Sequence, residues 1–125
     1  MKVKISSLSK SVEFKSLING KKINNKYLTI FFKKLSGKSN KFLNISFVAQ
    51  KKIGNAVKRN RIKRKLKSTV QKLVKMNNLI NLNYTYIIFG KEKVYVEYHD
   101  TLFEKMKKSF KRMEEIKLWK LSVSY

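Results

Sequence analysis

Basic side chains dominate the segment from Lys51 to Lys67, whose sequence is KKIGNAVKRNRIKRKLK. Three of the four arginines of the chain lie in this segment, at Arg59, Arg61 and Arg64, whereas 27 of the 31 basic residues are lysines. Arginine presents a planar fork that pairs with phosphate through two hydrogen bonds and stacks on bases. The clustering therefore predicts a surface that recognises nucleic acid. The alternative, a solvated helix face without a ligand, stays open.

The overall charge also favours a polyanionic partner. The 125 residues include 31 Lys and Arg against 7 Asp and Glu, a formal net charge of +24. Residues 14–91 contain no carboxylate, so the middle of the chain cannot neutralise itself through internal ion pairs. A small domain with this charge repels itself and binds polyanions. The candidate partners are nucleic acid, an anionic membrane surface and an acidic protein.

Side chains that could catalyse a reaction are scarce. The chain has no cysteine, which excludes disulfides and thiolate metal sites, and His99 is its only histidine. Glu97 and Asp100 are close to His99 in sequence, but neighbouring positions on a helix or strand do not converge. We expect Asp100 to cap the last helix, and a catalytic or metal-binding His99 is the minor alternative. With no apolar stretch long enough to span a membrane and no secretory signal, we expect a cytoplasmic protein.

Hydrophobic periodicity and turn residues predict six elements. In chain order they are helix 11–18, strand 27–35, strand 42–49, helix 56–76, strand 84–89 and helix 99–118. Segment 36–40 is predicted as the turn of a hairpin between the first two strands, and segment 91–95 as a loop. The order α-β-β-α-β-α predicts an α/β domain of the α+β sandwich type, with helices on one face of a small sheet. We expect one domain over 1–125, with its core at about 8–116 and an unassigned tail at 119–125.

The helix predicted over 56–76 separates a buried side from a basic side. Asn55 is a suitable cap for its first turn. Four apolar residues at i, i+4, i+8 and i+11 form one stripe, namely Ile62, Leu66, Val70 and Leu73. At 100° per residue, the positions away from this stripe include Asn60, Arg61, Arg64 and Lys67. The stripe is expected to face the core and the basic positions the ligand.

The strand predicted over 27–35 is apolar on both faces. Tyr27, Thr29 and Phe31 alternate with Leu28, Ile30 and Phe32. One set must line the core. The other set is either a second core face or a platform on which single-stranded bases stack.

Residues 51–64, KKIGNAVKRNRIKR, resemble the signature of the bacterial ribonuclease P protein component. That signature has a Lys-Lys-x-Gly-x-Ala-Val lead-in and an Arg-Asn-Arg core followed by Lys-Arg. The resemblance extends over about residues 8–113. It implies a sandwich with a left-handed βαβ crossover. It also implies a protein subunit, without catalytic residues, that pairs 1:1 with ribonuclease P RNA, the ribozyme that cleaves the 5′ leader from precursor tRNA.

The resemblance implies two groups of site residues. Those expected to bind the catalytic RNA are Lys51, Lys52, Asn55, Lys58, Arg59, Asn60, Arg61, Lys63, Arg64 and Lys67. Those expected to line a cleft for the single-stranded leader are Phe14, Ile18, Thr29 and Phe31. Mg²⁺ is implied as part of the ribonucleoprotein rather than in a protein cage, so metal ligands are left unassigned.

This chain departs from the pattern of the family near the expected leader cleft. It has Ser6, Ser7 and Ser9 where arginine is common, Ile18 where an aromatic is common, and Gly90 where arginine is common. These departures bear on individual leader contacts.

Two other functions remain as alternatives. Composition alone favours a ribosomal or other structural RNA-binding protein. A peripheral membrane protein requires an amphipathic helix with apolar residues free for lipid, whereas Ile62, Leu66 and Leu73 are expected in the core.

Overall fold

A computed structural model describes the backbone of residues 4–6, 21–34, 42–77 and 84–123, and the side chains of residues 21–33, 44–76 and 84–113. The strands are β1 Lys4–Ser6, β2 Lys21–Asn24, β3 Leu28–Lys34, β4 Phe42–Val48 and β5 Tyr84–Gly90. The helices are α1 Ala56–Asn77, α2 Glu92–Val96 and α3 His99–Val123, and a 3₁₀ turn at Lys51–Ile53 precedes α1. The predicted helix 11–18 and turn 36–40 lie outside the described residues.

The five strands form one sheet in the order β1-β4-β5-β3-β2. The central strand β5 runs parallel to β4 and antiparallel to β3, while β1 pairs in parallel with β4 and β2 pairs antiparallel to β3. The main core lies on one side of the sheet, where side chains of β3, β4 and β5 meet those of α1, α2 and α3. This arrangement confirms the predicted α/β class. Within the described residues, no helix is long and apolar enough to cross a membrane.

The predicted hairpin between the strands expected at 27–35 and 42–49 is wrong. β3 and β4 do not pair, because β5 lies between them. The sequence of β5, YTYIIFG, is buried along most of its length, which suits a central strand better than an edge. The hairpin partner of β3 is instead β2, and the side chain of Asn25 accepts hydrogen bonds from the backbone N–H groups of Tyr27 and Leu28 to close the turn. Strand β2 was not predicted, because its sequence, KKIN, has a single apolar residue, Ile23.

Helix α1 connects the parallel neighbours β4 and β5, as a crossover between parallel strands requires. The βαβ unit implied by the family resemblance is therefore present, and its left-handed sense stays a prediction. The predicted stripe of α1 is confirmed, since Ile62, Leu66, Val70 and Leu73 are all fully buried.

Two elements near the C-terminus differ from the prediction. The segment predicted as a loop at 91–95 contains helix α2, and α3 continues to Val123 instead of ending near residue 118. The five residues of α2 are too few to be stable alone, and only Val94 among them is buried. Contacts with distant residues must therefore stabilise α2, which a local pattern cannot reveal.

Gly90, the last residue of β5, allows the sheet to approach α1 closely. A Cβ atom at this position would lie 2.5 Å from Cγ2 of Ile62 and 2.8 Å from Cδ1 of Leu66. Both neighbours are fully buried, so neither side chain can move away without disturbing the core. The glycine is thus a packing requirement of this chain.

The substitution Gly90→Ala is expected to lower the free energy of unfolding by about 1–3 kcal/mol, because the added methyl group overpacks the core. Urea unfolding of the full chain measures the change. The control Gln71→Ala lies at an exposed position of α1 and should change the free energy by less than about 0.5 kcal/mol. Equal, small effects of the two substitutions would contradict the close approach.

Candidate nucleic-acid interface

The basic segment begins with the 3₁₀ turn and turns into α1 at Gly54 and Asn55. Gly54 has φ 158° and ψ −162°, a backbone conformation that is essentially restricted to glycine. The side-chain oxygen of Asn55 accepts a hydrogen bond of 2.9 Å from the backbone N–H of Lys58, so Asn55 caps the helix as predicted. These two residues set the direction in which the first turn of α1 presents its charges.

The predicted RNA-binding residues differ in exposure. Lys58, Arg59 and Lys63 are half-buried, and the others are exposed, namely Lys51, Lys52, Asn55, Asn60, Arg61, Arg64 and Lys67. They also do not all lie on one face of α1. The exposed Asn60, Arg61, Arg64 and Lys67 lie within about 120° of one another on the side away from the buried stripe, whereas Arg59 lies in line with that stripe and Lys63 at its edge.

Arg59 is less exposed than the other two arginines of the segment. Its Nε atom is buried and has no hydrogen-bond acceptor among the described residues. A buried donor without an acceptor is costly, and such cases occur more often at functional positions than elsewhere.

Lys58 joins α1 to α2. Its Nζ donates a hydrogen bond of 2.7 Å to Oε1 of Glu92 and lies 5.2 Å from the centre of the Tyr95 ring. The hydrogen bond and the charge of Lys58 lower the pKa of the Glu92 carboxyl. The charge of Lys58 is therefore partly neutralised within the protein, unlike that of its exposed neighbours.

Lys65 has a structural role that sequence reasoning missed. Its Nζ donates hydrogen bonds to the carbonyl oxygens of Val94 at 2.9 Å and of Glu97. Carbonyl groups at the end of a helix lack partners within that helix, so the ammonium group stabilises the end of α2. The signal that could have identified Lys65 is its position one turn after Arg61 and next to the buried stripe.

One cavity, of about 420 Å³, lies between α1 and the region where α2 meets α3. We call it the arginine cavity, and its lining residues are Arg61, Arg64, Lys65, Ser68, Tyr95 and His99. The cavity brings the two exposed arginines of the motif together with His99, which is exposed at the start of α3. Because α3 begins at His99, the predicted cap Asp100 lies inside the first turn and acts on the helix dipole instead.

A second cavity, of about 460 Å³, adjoins the sheet face opposite the helices. Its lining residues are Thr29, Gln50, Lys52, Ile53, Phe89, Gly90, Lys91 and Glu92. It therefore brings Thr29, predicted for the leader cleft, close to Lys52 of the basic segment.

The predicted leader residue Phe31 lies on the same sheet face as Thr29. Its ring meets that of Phe89 edge-on at 5.4 Å, and Nζ of Lys22 lies 6.0 Å from its centre. Only 9% of Phe31 is exposed, so little of its ring remains accessible to a base. The other two predicted cleft residues, Phe14 and Ile18, lie outside the described residues.

The segment between α2 and α3 is also fixed to the sheet. The hydroxyl of Tyr27 donates a hydrogen bond of 2.8 Å to Oε2 of Glu97. This bond lowers the pKa of the Glu97 carboxyl and raises that of the Tyr27 hydroxyl. Among the residues of known placement, no three His, Asp or Glu side chains come together in a way that would bind a metal ion.

Tyr27→Phe is expected to make stability less sensitive to acid. A carboxyl whose pKa is lowered by folding stabilises the protein above its unfolded pKa, near 4.5, and this stabilisation is lost as the pH falls through the folded value. Without the tyrosine hydroxyl, the free energy of unfolding should therefore decline less steeply below about pH 4.5. Urea unfolding at a series of pH values measures the slope. Tyr98→Phe, at an exposed tyrosine, is the control and should keep the slope of the unmodified chain.

Comparisons with known proteins agree with the resemblance seen at the basic segment. Residues 3–114 match the family model described as Ribonuclease P. The chain is 34% identical over 110 residues to a protein of Fusobacterium nucleatum subsp. nucleatum named ribonuclease P protein component, covering 87% of this chain and 94% of that protein. It is 31% identical over 112 residues to a protein of the same name from Mesomycoplasma hyopneumoniae, covering 89% and 95%.

The fold has counterparts among solved structures. The RNase P protein of Thermotoga maritima superposes with a TM-score of 0.69 at 20% identity, over 86% of this chain and 96% of that one. The RNase P protein of Staphylococcus aureus gives a TM-score of 0.69 at 17% identity, over 86% and 94%. At these identities the superpositions support the fold alone. The family model and the two relatives cover most of the sequence, and the chain therefore belongs to the ribonuclease P protein family.

Proposed function

We propose that this chain is the protein subunit of a ribonuclease P ribonucleoprotein that removes the 5′ leader of precursor tRNA by endonucleolytic cleavage. In this proposal the RNA subunit performs the chemistry, and the protein binds that RNA and the single-stranded leader. The observation that carries the proposal is the presentation of Asn60, Arg61 and Arg64 on the exposed side of a helix whose other side is fully buried. The proposal keeps the 1:1 stoichiometry, the cytoplasmic location and the lack of a membrane partner expected from the sequence.

Charge and geometry support binding of the catalytic RNA along α1. Arg61 and Arg64 are exposed and have no carboxylate partner among the described residues. Their guanidinium groups are free to form paired hydrogen bonds with phosphate oxygens, which a lysine cannot do. The first turn of α1 contains no acidic residue, so the positive end of the helix dipole adds to the attraction for phosphate.

The open face of the sheet supports binding of the leader. Thr29 lines the second cavity together with Phe89, Lys52 and Lys91. Nζ of Lys91 is held by hydrogen bonds to Oδ1 of Asn24 and the carbonyl oxygen of Asn25, so its charge has a fixed position there. A single strand crossing this face would meet aromatic and apolar groups in the middle and cations at one end. Phe31 is largely buried, so it would contribute to the packing of this face and would not stack on a base.

We assign Mg²⁺ to the ribonucleoprotein and not to a protein cage. The described residues bring no carboxylate cluster to the basic segment, and of the two carboxylates near it Glu92 is paired with Lys58 and Glu97 accepts a hydrogen bond from Tyr27. Mg²⁺ is usually held by one or two carboxylates together with phosphates and water. The phosphates of the RNA would supply most of the ligands here, and the cationic protein would reduce repulsion between the two RNAs.

Reconstitution with a bacterial ribonuclease P RNA at low Mg²⁺ tests the proposed function. The chain should increase the rate of leader cleavage from precursor tRNA, because its charges replace part of the screening that Mg²⁺ otherwise provides. Its affinity for the RNA should also fall steeply with salt, through counterion release. No increase in cleavage across a range of protein concentrations would contradict the proposal.

The paired change Arg61→Ala and Arg64→Ala is expected to weaken holoenzyme assembly about tenfold or more, because it removes two phosphate-binding forks. The control replaces Lys108 and Lys111, two exposed residues of α3, with alanine and lowers the net charge by the same amount. Filter binding to the RNA at several salt concentrations compares the two. Equal loss of affinity would mean that bulk charge, and not the position of the arginines, determines binding.

A further inference from the structure

The arginine cavity has the size of a ligand site. Its volume of about 420 Å³ falls within the range of roughly 300–1,000 Å³ that is usual for pockets that bind small molecules. It lies beside the row of exposed cations on α1, so a ligand could be part of a longer polymer that continues along the helix.

Its charged wall suits one phosphate group. Arg61 and Arg64 are three residues apart and therefore lie on the same side of α1, where both side chains border the cavity. None of the six lining residues carries a negative charge. Lys65 contributes charge but few free donors, because its Nζ already donates to the carbonyl oxygens at the end of α2. The two arginine forks are consequently the donors available to an anion.

Its opposite wall suits a planar ring. Tyr95 borders the cavity with 37% of its surface exposed, a high value for a tyrosine next to the core residue Val94. Nζ of Lys58 lies 5.2 Å from the centre of the ring and is paired with Glu92, so a cation–π contact favours this position of the ring. The imidazole of His99 provides a second planar group at the same cavity.

An unpaired nucleotide is recognised by hydrogen-bond donors that bind its phosphate and by an aromatic ring on which its base stacks. Bases of single-stranded RNA stack on aromatic side chains while arginine binds the backbone. A base inside a duplex is already stacked and paired, so it enters a cavity only at the cost of being flipped out. An acidic protein segment would also attract the arginines, but it would leave the flat surfaces of Tyr95 and His99 without a planar partner.

We propose that the arginine cavity binds one unpaired nucleotide of an RNA, with its phosphate between Arg61 and Arg64 and its base against Tyr95. This inference rests on the proposed function, because it specifies which kind of nucleotide the basic face of α1 takes from its RNA. It concerns a site on the side of α1 that faces α2 and α3, away from the open sheet face proposed for the leader.

The first experiment uses two RNA hairpins of equal length, one fully paired and one with a single bulged nucleotide. The chain should bind the bulged hairpin more tightly, and Tyr95→Leu should reduce this preference about tenfold, the loss expected for one base stack. Tyr98→Leu is the matched control, because Tyr98 is 80% exposed, lies three residues away and does not line the cavity. It should leave the preference unchanged.

A second variant keeps the test independent of folding. Arg64→Lys retains the charge at an exposed position but removes one fork, so it should weaken binding of the bulged hairpin several-fold without changing the salt dependence. The inference is overturned if the chain does not prefer the bulged hairpin. It is also overturned if Tyr95→Leu and Tyr98→Leu behave alike, or if poly-glutamate displaces the bulged hairpin as well as unlabelled hairpin does.

The reconstitution assay separates failure of this inference from failure of the proposed function. If the unmodified chain stimulates leader cleavage but Tyr95→Leu and Tyr98→Leu bind RNA equally well, the proposed function stands and the nucleotide site is overturned. If the chain does not stimulate cleavage but its preference for the bulged hairpin depends on Tyr95, the nucleotide site stands and the proposed function is overturned.

Discussion

The packing of α1 against the sheet is the constraint on which the rest of the molecule depends. Four apolar side chains of α1 are fully buried, and the helix packs on β4, β5 and α3; each side chain contributes roughly 1.5–3 kcal/mol through its removal from water. Gly90 lets β5 come close enough for Ile62 and Leu66 to fill the space. This packing fixes the rotation of α1 about its axis, so every basic residue on its outer side is held at a defined angle to the sheet.

Charge is distributed so that this rotation has a functional consequence. Two carboxylates of the described C-terminal part make internal contacts, Glu92 with Lys58 and Glu97 with Tyr27. They hold α2 and the start of α3 against α1 and β3 and leave the exposed arginines without acidic partners in the described structure. Cations in the first turn of a helix oppose the helix dipole. This unfavourable interaction occurs at a position where a bound phosphate would offset it.

Elements determined by the local sequence were predicted correctly. Features that depend on contacts between distant residues were not. The strands β3, β4 and β5, the cap at Asn55 and the stripe of α1 follow from alternation, capping and helical period. The cap and the stripe were confirmed, and the strands agree with their predicted bounds to within one residue at each end. Strand pairing was predicted wrongly because alternation does not encode the partner. Helix α2 was missed because Lys65 and Lys58, both on another helix, stabilise it. The arginine cavity could not be predicted for the same reason, because Tyr95 belongs to α2 and its position at the cavity depends on that helix.

The Arg-Asn-Arg motif has a geometric consequence that its sequence alone does not suggest. Arg59 and Arg61 are two residues apart, so they lie about 200° apart around α1 and cannot bind the same phosphate. Arg59 is half-buried because it lies in line with the buried stripe, three residues before Ile62, whereas Arg61 joins Arg64 in the arginine cavity on the exposed side. An RNA that binds the exposed side of α1 therefore meets Arg61 and Arg64 directly, whereas Arg59 lies at the end of the buried stripe, in the first turn of the helix.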